Sequence, residues 1–304
     1  MQAARYESGL DNSPMYDGEF FSFNTTLQAG HMHLYDVGMA SMLAMELKAL
    51  ANLSLVAFDP PRTEQHAMIT KQLTELQALI QQHHWNDELG IFANKFSAEL
   101  TGKCNASGIV NGNCSGFACC KDGWYNRISP TSFYPMQSGI ATDEQATTMV
   151  EKWLTPKDKF CIAPEGDSAG NDPSCHWGLP SISAGDPAFL PLGYWRGFVW
   201  GPMAQLTWWS LEPYSHVPVV AKGRAALAKQ MTAMGLNQWY RHHHVCENYN
   251  PGFTTQNKGV DCTGGKVLSA FAFDCLLTWY HCADHFYHWG GLTAFISLLE
   301  AGYY

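Results

Sequence analysis

The chain is poor in charge, and above all in positive charge. Only 15% of its 304 residues are charged, and 18 Lys and Arg stand against 27 Asp and Glu, giving a formal net charge of −9. Nucleic-acid phosphates and anionic membranes bind basic surfaces, so this balance argues against both partners. The low charge excludes a coiled coil, and the 13% of aromatic residues excludes a disordered chain. The composition therefore predicts a soluble globular protein rich in rings and turns.

Motifs of several common enzyme classes are also missing. The sequence has no glycine-rich phosphate loop and no Gly-x-Ser-x-Gly turn, which argues against a nucleotide-dependent enzyme and a serine hydrolase. No Cys-x-x-Cys pair accompanies the three histidines at 242–244, so we predict no metal site. No apolar run reaches about 18 residues, so we predict no membrane segment. The first ten residues lack the apolar stretch of a signal peptide.

Cysteines and glycosylation sequons point to an oxidising compartment. Ten cysteines are many for a cytosolic protein of this size. Sequons of the form Asn-x-Ser/Thr begin at Asn24, Asn52, Asn105 and Asn113. Together they favour a secreted or secretory-pathway glycoprotein over a cytoplasmic protein. We expect disulfides among six cysteines of the long loops, which are Cys104, Cys114, Cys119, Cys120, Cys161 and Cys175.

Helical periodicity dominates the chain between these loops. It predicts helices over about 33–58 and 64–83, after 142, over 199–211 and 217–240, and over 289–300. The capping box TDEQ at 142–145 marks the third start, and residues 85–96 predict a turn with a short extended pair. Very long loops separate some of these helices. Long loops inside a compact domain are usually functional.

Three groups of loops combine carboxylates, amides and aromatic rings. They are YESGLDNSPMYDG (6–18), then 129–141 with 186–202, and then CENYNP (246–251) with FYHWGGL (286–292). Rings stack on the apolar faces of sugars, while amides and carboxylates bind hydroxyl groups. Cleavage of a glycosidic bond also needs two carboxyl groups in opposite protonation states. The loops therefore predict a carbohydrate substrate.

The segment ESGLDNSP (7–14) strongly resembles a signature of the inverting glycosidases with an (α/α)6 toroid. The resemblance is nearest to glycoside hydrolase family 63, which contains processing α-glucosidases and mannosylglycerate hydrolase-like enzymes. It continues in chain order through SPTSFYP (129–135), DPAF (186–189), YWRG (194–197), ENYNP (247–251) and FYHWG (286–290). The implied fold is all-α, with residues 1–304 as a single partial (α/α)6 catalytic domain.

The resemblance implies an inverting mechanism without a cofactor. Asp11 corresponds to the general acid and Glu247 to the general base, acting on α-linked glucosides or mannosides. The expected substrate-binding residues are Tyr6, Glu7, Asn12, Gln137, Trp195, Arg196, Tyr249, His288 and Trp289. Purely structural explanations also stay open, in which Asp11 caps a turn before Pro14, Glu247 is a surface acid and Trp195 is a core residue.

The sequence departs from the family in two places. A complete toroid has twelve helices and this chain predicts six or seven, so the resemblance implies that N-terminal helices are missing and leaves activity open. About twenty extra apolar residues also precede Cys282, within 263–282. Two alternative functions remain: a trehalase-type α-glucosidase, disfavoured because Leu10 replaces its usual Trp, and an inactive sugar-binding or scaffold fragment.

Overall fold

A computed structural model describes residues 8–10, 13–16, 34–96, 123–162, 178–189, 193–249, 251 and 288–303. Six α-helices carry half of this part of the chain. They are α1 (Val37–Val56), α2 (Thr63–His84), α3 (Asp143–Met149), α4 (Gly201–Leu211), α5 (Pro218–His242) and α6 (His288–Glu300). All six begin or end within a few residues of the predicted bounds, so the helical periodicity is confirmed.

Helices α1 and α2 form an antiparallel hairpin at the start of this series of helices. Asp36 caps α1, and its Oδ1 accepts a hydrogen bond of 2.9 Å from the backbone N–H of Met39. The hairpin buries one face of each helix, with Ala44 on α1 and Leu73 and Ile80 on α2 fully or almost fully inaccessible. The cap fixes where α1 starts, and therefore where Asp36 lies in the fold.

Helix α1 has more apolar residues than lie on its buried face. Among the described residues it is the one helix long and apolar enough to cross a membrane, with a mean hydropathy of 1.3 over 18 residues, of which 22% are buried. One helix of this kind is a weak indication of a membrane span, since core helices meet the same criterion. It packs against α2 and against a 3-10 helix at Pro130–Ser138.

Short strands form two small sheets beside the helices. Strands β2 (Trp85–Asn86) and β3 (Ile91–Phe92) form the predicted extended pair. Strands β1 (Leu34–Tyr35), β4 (Asn94–Phe96) and β5 (Trp124–Tyr125) form an antiparallel sheet in the order β1-β4-β5, which the sequence did not predict. In the part of the chain that the structure describes, no sheet closes into a barrel.

The 3-10 helix Pro130–Ser138 lies at the centre of the packing. Eight of its nine residues are buried, and it contacts both α1 and α4. Helix α3 begins with the predicted capping box, since Thr142 accepts from the Gln145 N–H while the Gln145 side chain accepts from the Thr142 N–H. Helices α4, α5 and α6 pack on one another beyond it. This arrangement places 129–138, 194–200 and 246–249 in the interior.

Cys161 and Cys246 are the cysteines within the described ranges, and both are disulfide-bonded. Cys161 is one of the six cysteines that we expected to form disulfides, and the other five, Cys104, Cys114, Cys119, Cys120 and Cys175, lie outside these ranges. The pairing therefore stays a prediction. The sequons at Asn24, Asn105 and Asn113 and the apolar stretch 263–282 also lie outside the described residues.

Candidate functional site

A pocket of ≈ 210 Å³ opens where the first of the predicted loops meets α1, the central 3-10 helix and α4. Its described lining is mainly apolar and includes a few residues with polar side chains. The lining residues are Ser8, Gly9, Leu10, Tyr16, Asp36, Gly38, Met39, Met42, Thr131, Tyr134, Trp195, Pro202, Met203, Leu206 and Trp289. A concave, largely apolar site with a few polar groups is typical of small-ligand binding.

Asp36 is the acidic residue among the described lining residues of the pocket, and it forms several hydrogen bonds. Its Oδ2 accepts a hydrogen bond of 2.7 Å from the Tyr16 hydroxyl and one of 3.3 Å from the Asn94 amide. Burial, followed by the charge of Asp36, raises the pKa of Tyr16 well above its ordinary value. The same two causes raise the pKa of Tyr134. Both phenols therefore stay protonated and remain donors at any physiological pH.

Two of the lining residues, Trp195 and Trp289, belong to a cluster of aromatic rings. Trp195 and Trp200 stack with their ring centroids 3.6 Å apart and their planes within 5°, and Trp289 meets Trp195 edge to face at 6.5 Å. Tyr194 meets Trp200 edge to face at 4.8 Å. Trp195 and Trp289 both line the pocket. The fold thus brings these two tryptophans, which lie far apart in sequence, to the same cavity.

Glu247 is only 8% exposed and is not among the described lining residues of the pocket. Its Oε1 accepts a hydrogen bond of 2.9 Å from the Tyr194 hydroxyl. The backbone nearby is fixed, because Tyr249 and Val199 exchange N–H to carbonyl hydrogen bonds of 2.9 Å in both directions. The reading of Glu247 as a surface acid is therefore wrong. A buried carboxylate needs specific polar partners, and Tyr194 is one of them.

The loop that carries Asp11 is anchored at Pro14. The Pro14 carbonyl accepts hydrogen bonds from the Tyr125 hydroxyl at 2.6 Å and from Nη1 of Arg127 at 2.7 Å. Arg127 Nε lies 3.1 Å from Oδ2 of Asp186, and both side chains of this ion pair are almost fully buried. The ion pair thus connects the first loop to the predicted DPAF motif at 186–189.

The late loop and α6 dock against each other through Gly290. A side chain at this position would overlap the Cys246 carbonyl. The Tyr249 hydroxyl donates to the Gly290 carbonyl at 3.0 Å, as does the Thr293 hydroxyl at 2.8 Å. Tyr249 is fully buried by this contact and is not part of the described pocket lining. Its predicted role in substrate binding stays a prediction.

The remaining predicted residues divide into two groups. Gln137 and Arg196 are half-buried and His288 is exposed, and none of the three belongs to the described lining. Tyr6, Glu7, Asp11 and Asn12 lie outside the described residues. Of the nine predicted substrate-binding residues, the structure therefore brings Trp195 and Trp289 to the pocket.

Asp36 and Tyr16 are site residues that the motif comparison missed. An Asp directly before an apolar periodic run is a recognisable helix-start signal, but that signal says nothing about a pocket. Tyr16 meets Asp36 across 20 positions of sequence, a contact that only the folded chain makes. Within the described part of the chain, no group of three or more His, Cys, Asp or Glu could hold a metal ion.

The family of the chain follows from its sequence match. A model described as the mannosylglycerate hydrolase MGH1-like glycoside hydrolase domain matches residues 1–262. The chain belongs to this glycoside hydrolase family. No curated protein sequence matches the chain.

Solved structures place the MGH1-like domain in the six-hairpin (α/α)6 fold, as the sequence predicted. The neutral trehalase of Saccharomyces cerevisiae superimposes with a TM-score of 0.51 at 17% identity, covering 88% of this chain and 38% of that one. A sialidase gives 0.51 at 13% identity, with 81% and 19% covered. A family 63 mannosylglycerate hydrolase from Thermus thermophilus in complex with Tris gives 0.49 at 17%, with 81% and 58% covered. The chain thus spans less than two thirds of each.

Proposed function

We propose that this chain, as a single domain over 1–304, hydrolyses α-linked glucosides or mannosides with inversion of the anomeric centre. Asp11 is the general acid and Glu247 the general base. The observation that carries the proposal is that Glu247 is a buried carboxylate bonded to Tyr194, whose ring meets the pocket residue Trp195 edge to face at 6.2 Å. Membership of the MGH1-like glycoside hydrolase family supports the reaction class.

The placement of Glu247 suits a group that acts on water. The tyrosine hydroxyl occupies one lone-pair position of Oε1 and holds the side chain in one orientation. A carboxylate has about four acceptor sites, and in this proposal one of them orients a water and accepts its proton. That water then attacks the anomeric carbon from the face opposite the leaving group, which is what inverts the configuration.

The neighbours of Asp11 in sequence support its role as the acid. Ser8, Gly9 and Leu10 line the pocket, and Leu10 directly precedes Asp11. Ser13 follows and is fully buried, in a turn where its carbonyl accepts from the Tyr16 N–H. A protonated Asp11 would donate its proton to the departing glycosidic oxygen. An inverting pair needs its carboxyl groups about 6.5–9.5 Å apart to leave room for water.

The tryptophans supply the binding surface in this proposal. Trp195 and Trp289 present rings at 64° to each other along one wall, so a pyranose ring can stack on one and contact the edge of the other. Tyr6, Glu7, Asn12, Gln137, Arg196, Tyr249 and His288 stay candidates for hydroxyl binding from neighbouring loops. No cofactor takes part in the proposed chemistry.

The test is the anomer released in the first turnover. Proton NMR of the hydrolysis of α-glucosides, α-mannosides and trehalose should show the β-anomer before mutarotation. Glu247→Gln should lower kcat by about 10²–10⁴-fold while ligand binding persists, because the base acts on water. Glu212→Gln, which removes an exposed carboxylate at the end of α4, is the matched control and should be fully active.

Other outcomes have distinct meanings. Initial release of the α-anomer would reject the inverting assignment, and full activity of Glu247→Gln would reject the base. Cleavage of trehalose alone would favour the trehalase-type alternative. Sugar binding without any turnover by the folded protein would favour the inactive sugar-binding alternative.

A further inference from the structure

We propose that the pocket selects neutral sugars, and that Asp36 is the residue that excludes anionic ones. This inference rests on the proposed function, since it assumes that the pocket holds a sugar, and it names the class of sugar. Asp36 is one of the residues that line the pocket. Discrimination by charge is a separate property from catalysis by Asp11 and Glu247.

The size and lining of the pocket fit one monosaccharide unit. At ≈ 210 Å³ it is smaller than the roughly 300–1,000 Å³ of sites for drug-sized ligands. Trp195 and Trp289 contribute apolar surface to the lining, and Tyr16 and Asp36 contribute polar groups. Any charged substituent on a sugar held here would therefore share a small space with the Asp36 carboxylate.

The local structure fixes the position of the Asp36 side chain. Oδ1 caps α1 through the Met39 N–H, and Oδ2 accepts from the Tyr16 hydroxyl and the Asn94 amide. Three donors from three parts of the chain hold the carboxylate, so it cannot swing away from an unfavourable ligand. Its remaining acceptor capacity can still bind a sugar hydroxyl.

No positive side chain compensates this charge in the described part of the pocket. The lining residues include no Lys, Arg or His, and Asp36 forms no ion pair with any described residue. The charge of Asp36 acts on neighbouring lining residues, because after burial it is the second cause that raises the pKa values of Tyr16 and Tyr134. A second carboxylate in the same cavity would feel the same repulsion.

The experiment compares two ligands that differ by one group. Methyl α-D-glucopyranoside carries a hydroxymethyl group at C6, where methyl α-D-glucopyranosiduronate carries a carboxylate. Kd values come from NMR titration, and the pair of the manno series is measured in parallel, with the tighter-binding series deciding. We expect the wild-type protein to bind the neutral ligand about tenfold or more tightly than the anionic one.

Two variants assign this preference to Asp36. Asp36→Asn removes the charge but keeps an acceptor for Tyr16 and a good helix cap, so the preference should fall to about twofold or less. Asp143→Asn removes an exposed charge at the start of α3, away from the pocket, and should leave the preference unchanged. A second measurement needs no variant, since raising the salt from about 50 to 500 mM should weaken the wild-type preference.

Each result has a definite reading. Equal binding of both ligands by the wild type, or a preference that Asp36→Asn retains, would overturn the assignment while leaving the hydrolase proposal intact. A preference for the anionic ligand would overturn it as well. If the folded protein binds none of these sugars, the proposed function fails together with this inference.

Discussion

The buried ion pair between Arg127 and Asp186 offers the sharpest test of how the fold holds its first loop. Replacing Arg127 with Met keeps much of the side-chain volume but removes the cation that lies 3.1 Å from the Asp186 carboxylate, whose side chain is only 3% exposed. The Pro14 carbonyl also loses its 2.7 Å hydrogen bond, although Tyr125 still donates to it. The substitution thus acts on the carboxylate and on the loop anchor together.

The expected loss of stability follows from the burial of the ion pair. Removing one partner of a buried pair destabilises a protein by about 3–5 kcal/mol, whereas an exposed pair contributes about 0–1 kcal/mol. The pair between Lys71 and Glu75 on α2 is exposed, at 78% and 64%, and supplies the control. We expect Arg127→Met to lower the free energy of unfolding by about 3–5 kcal/mol, and Lys71→Met to lower it by less than about 0.5 kcal/mol.

Urea unfolding measures both values, with the slope m checked for constancy. The double variant Arg127→Met with Asp186→Leu should recover part of the loss, because replacing a buried pair by apolar groups is often close to neutral. A cost below about 1 kcal/mol for Arg127→Met, at unchanged m, would refute the reasoning. So would a double variant less stable than the sum of the two single changes.

Two further predictions concern the packing of α6 and the loss of stability at alkaline pH. Gly290→Ala should prevent folding, because its Cβ would overlap the Cys246 carbonyl. Gly291→Ala meets no atom within 4 Å and should raise the free energy of unfolding by about 0.5–1 kcal/mol. Soluble yield and thermal unfolding distinguish the two variants. Burial, followed by the charge of Asp143, raises the pKa of Tyr214 from 10.0 to about 12. As the pH rises, the unfolded chain therefore loses the Tyr214 proton before the folded protein does. The contribution of Tyr214 to the free energy of unfolding should be complete below pH 10 and be lost between pH 10 and about 12. Tyr214→Phe should make that fall shallower in urea unfolding, and an unchanged slope would contradict the assignment.

The helices could be predicted because their signals are local. The capping box of Thr142 and Gln145 lies within four residues, and the structure forms both of its hydrogen bonds. The periodic segments likewise depend on neighbours three and four positions away. The 3-10 helix Pro130–Ser138 was missed as an element, because Pro135 interrupts the pattern and the segment takes its shape from burial on every side.

Residues of the site could be predicted from the sequence only where they belong to short motifs. Trp195 and Trp289 were named from such motifs and reach the pocket, although 94 positions separate them. Asp36 could be read as a helix cap, yet its contact with Tyr16 depends on tertiary packing. The pairing of Arg127 with Asp186 likewise joins two loops 59 positions apart. Distances of this kind in sequence leave no periodic signal.

The double use of Asp36, as the cap of α1 and as part of the pocket wall, bears on how such a site can change during evolution. Only a few residue types begin a helix well, namely Asp, Asn, Ser, Thr and to a lesser degree Gly. Within that set Asp alone is charged. A single substitution to Asn, Ser or Thr would therefore change the charge of the pocket while the helix still starts at the same residue. Most other substitutions would disturb α1 itself. Ligand preference can therefore change through a few specific substitutions at this one position while the fold is retained.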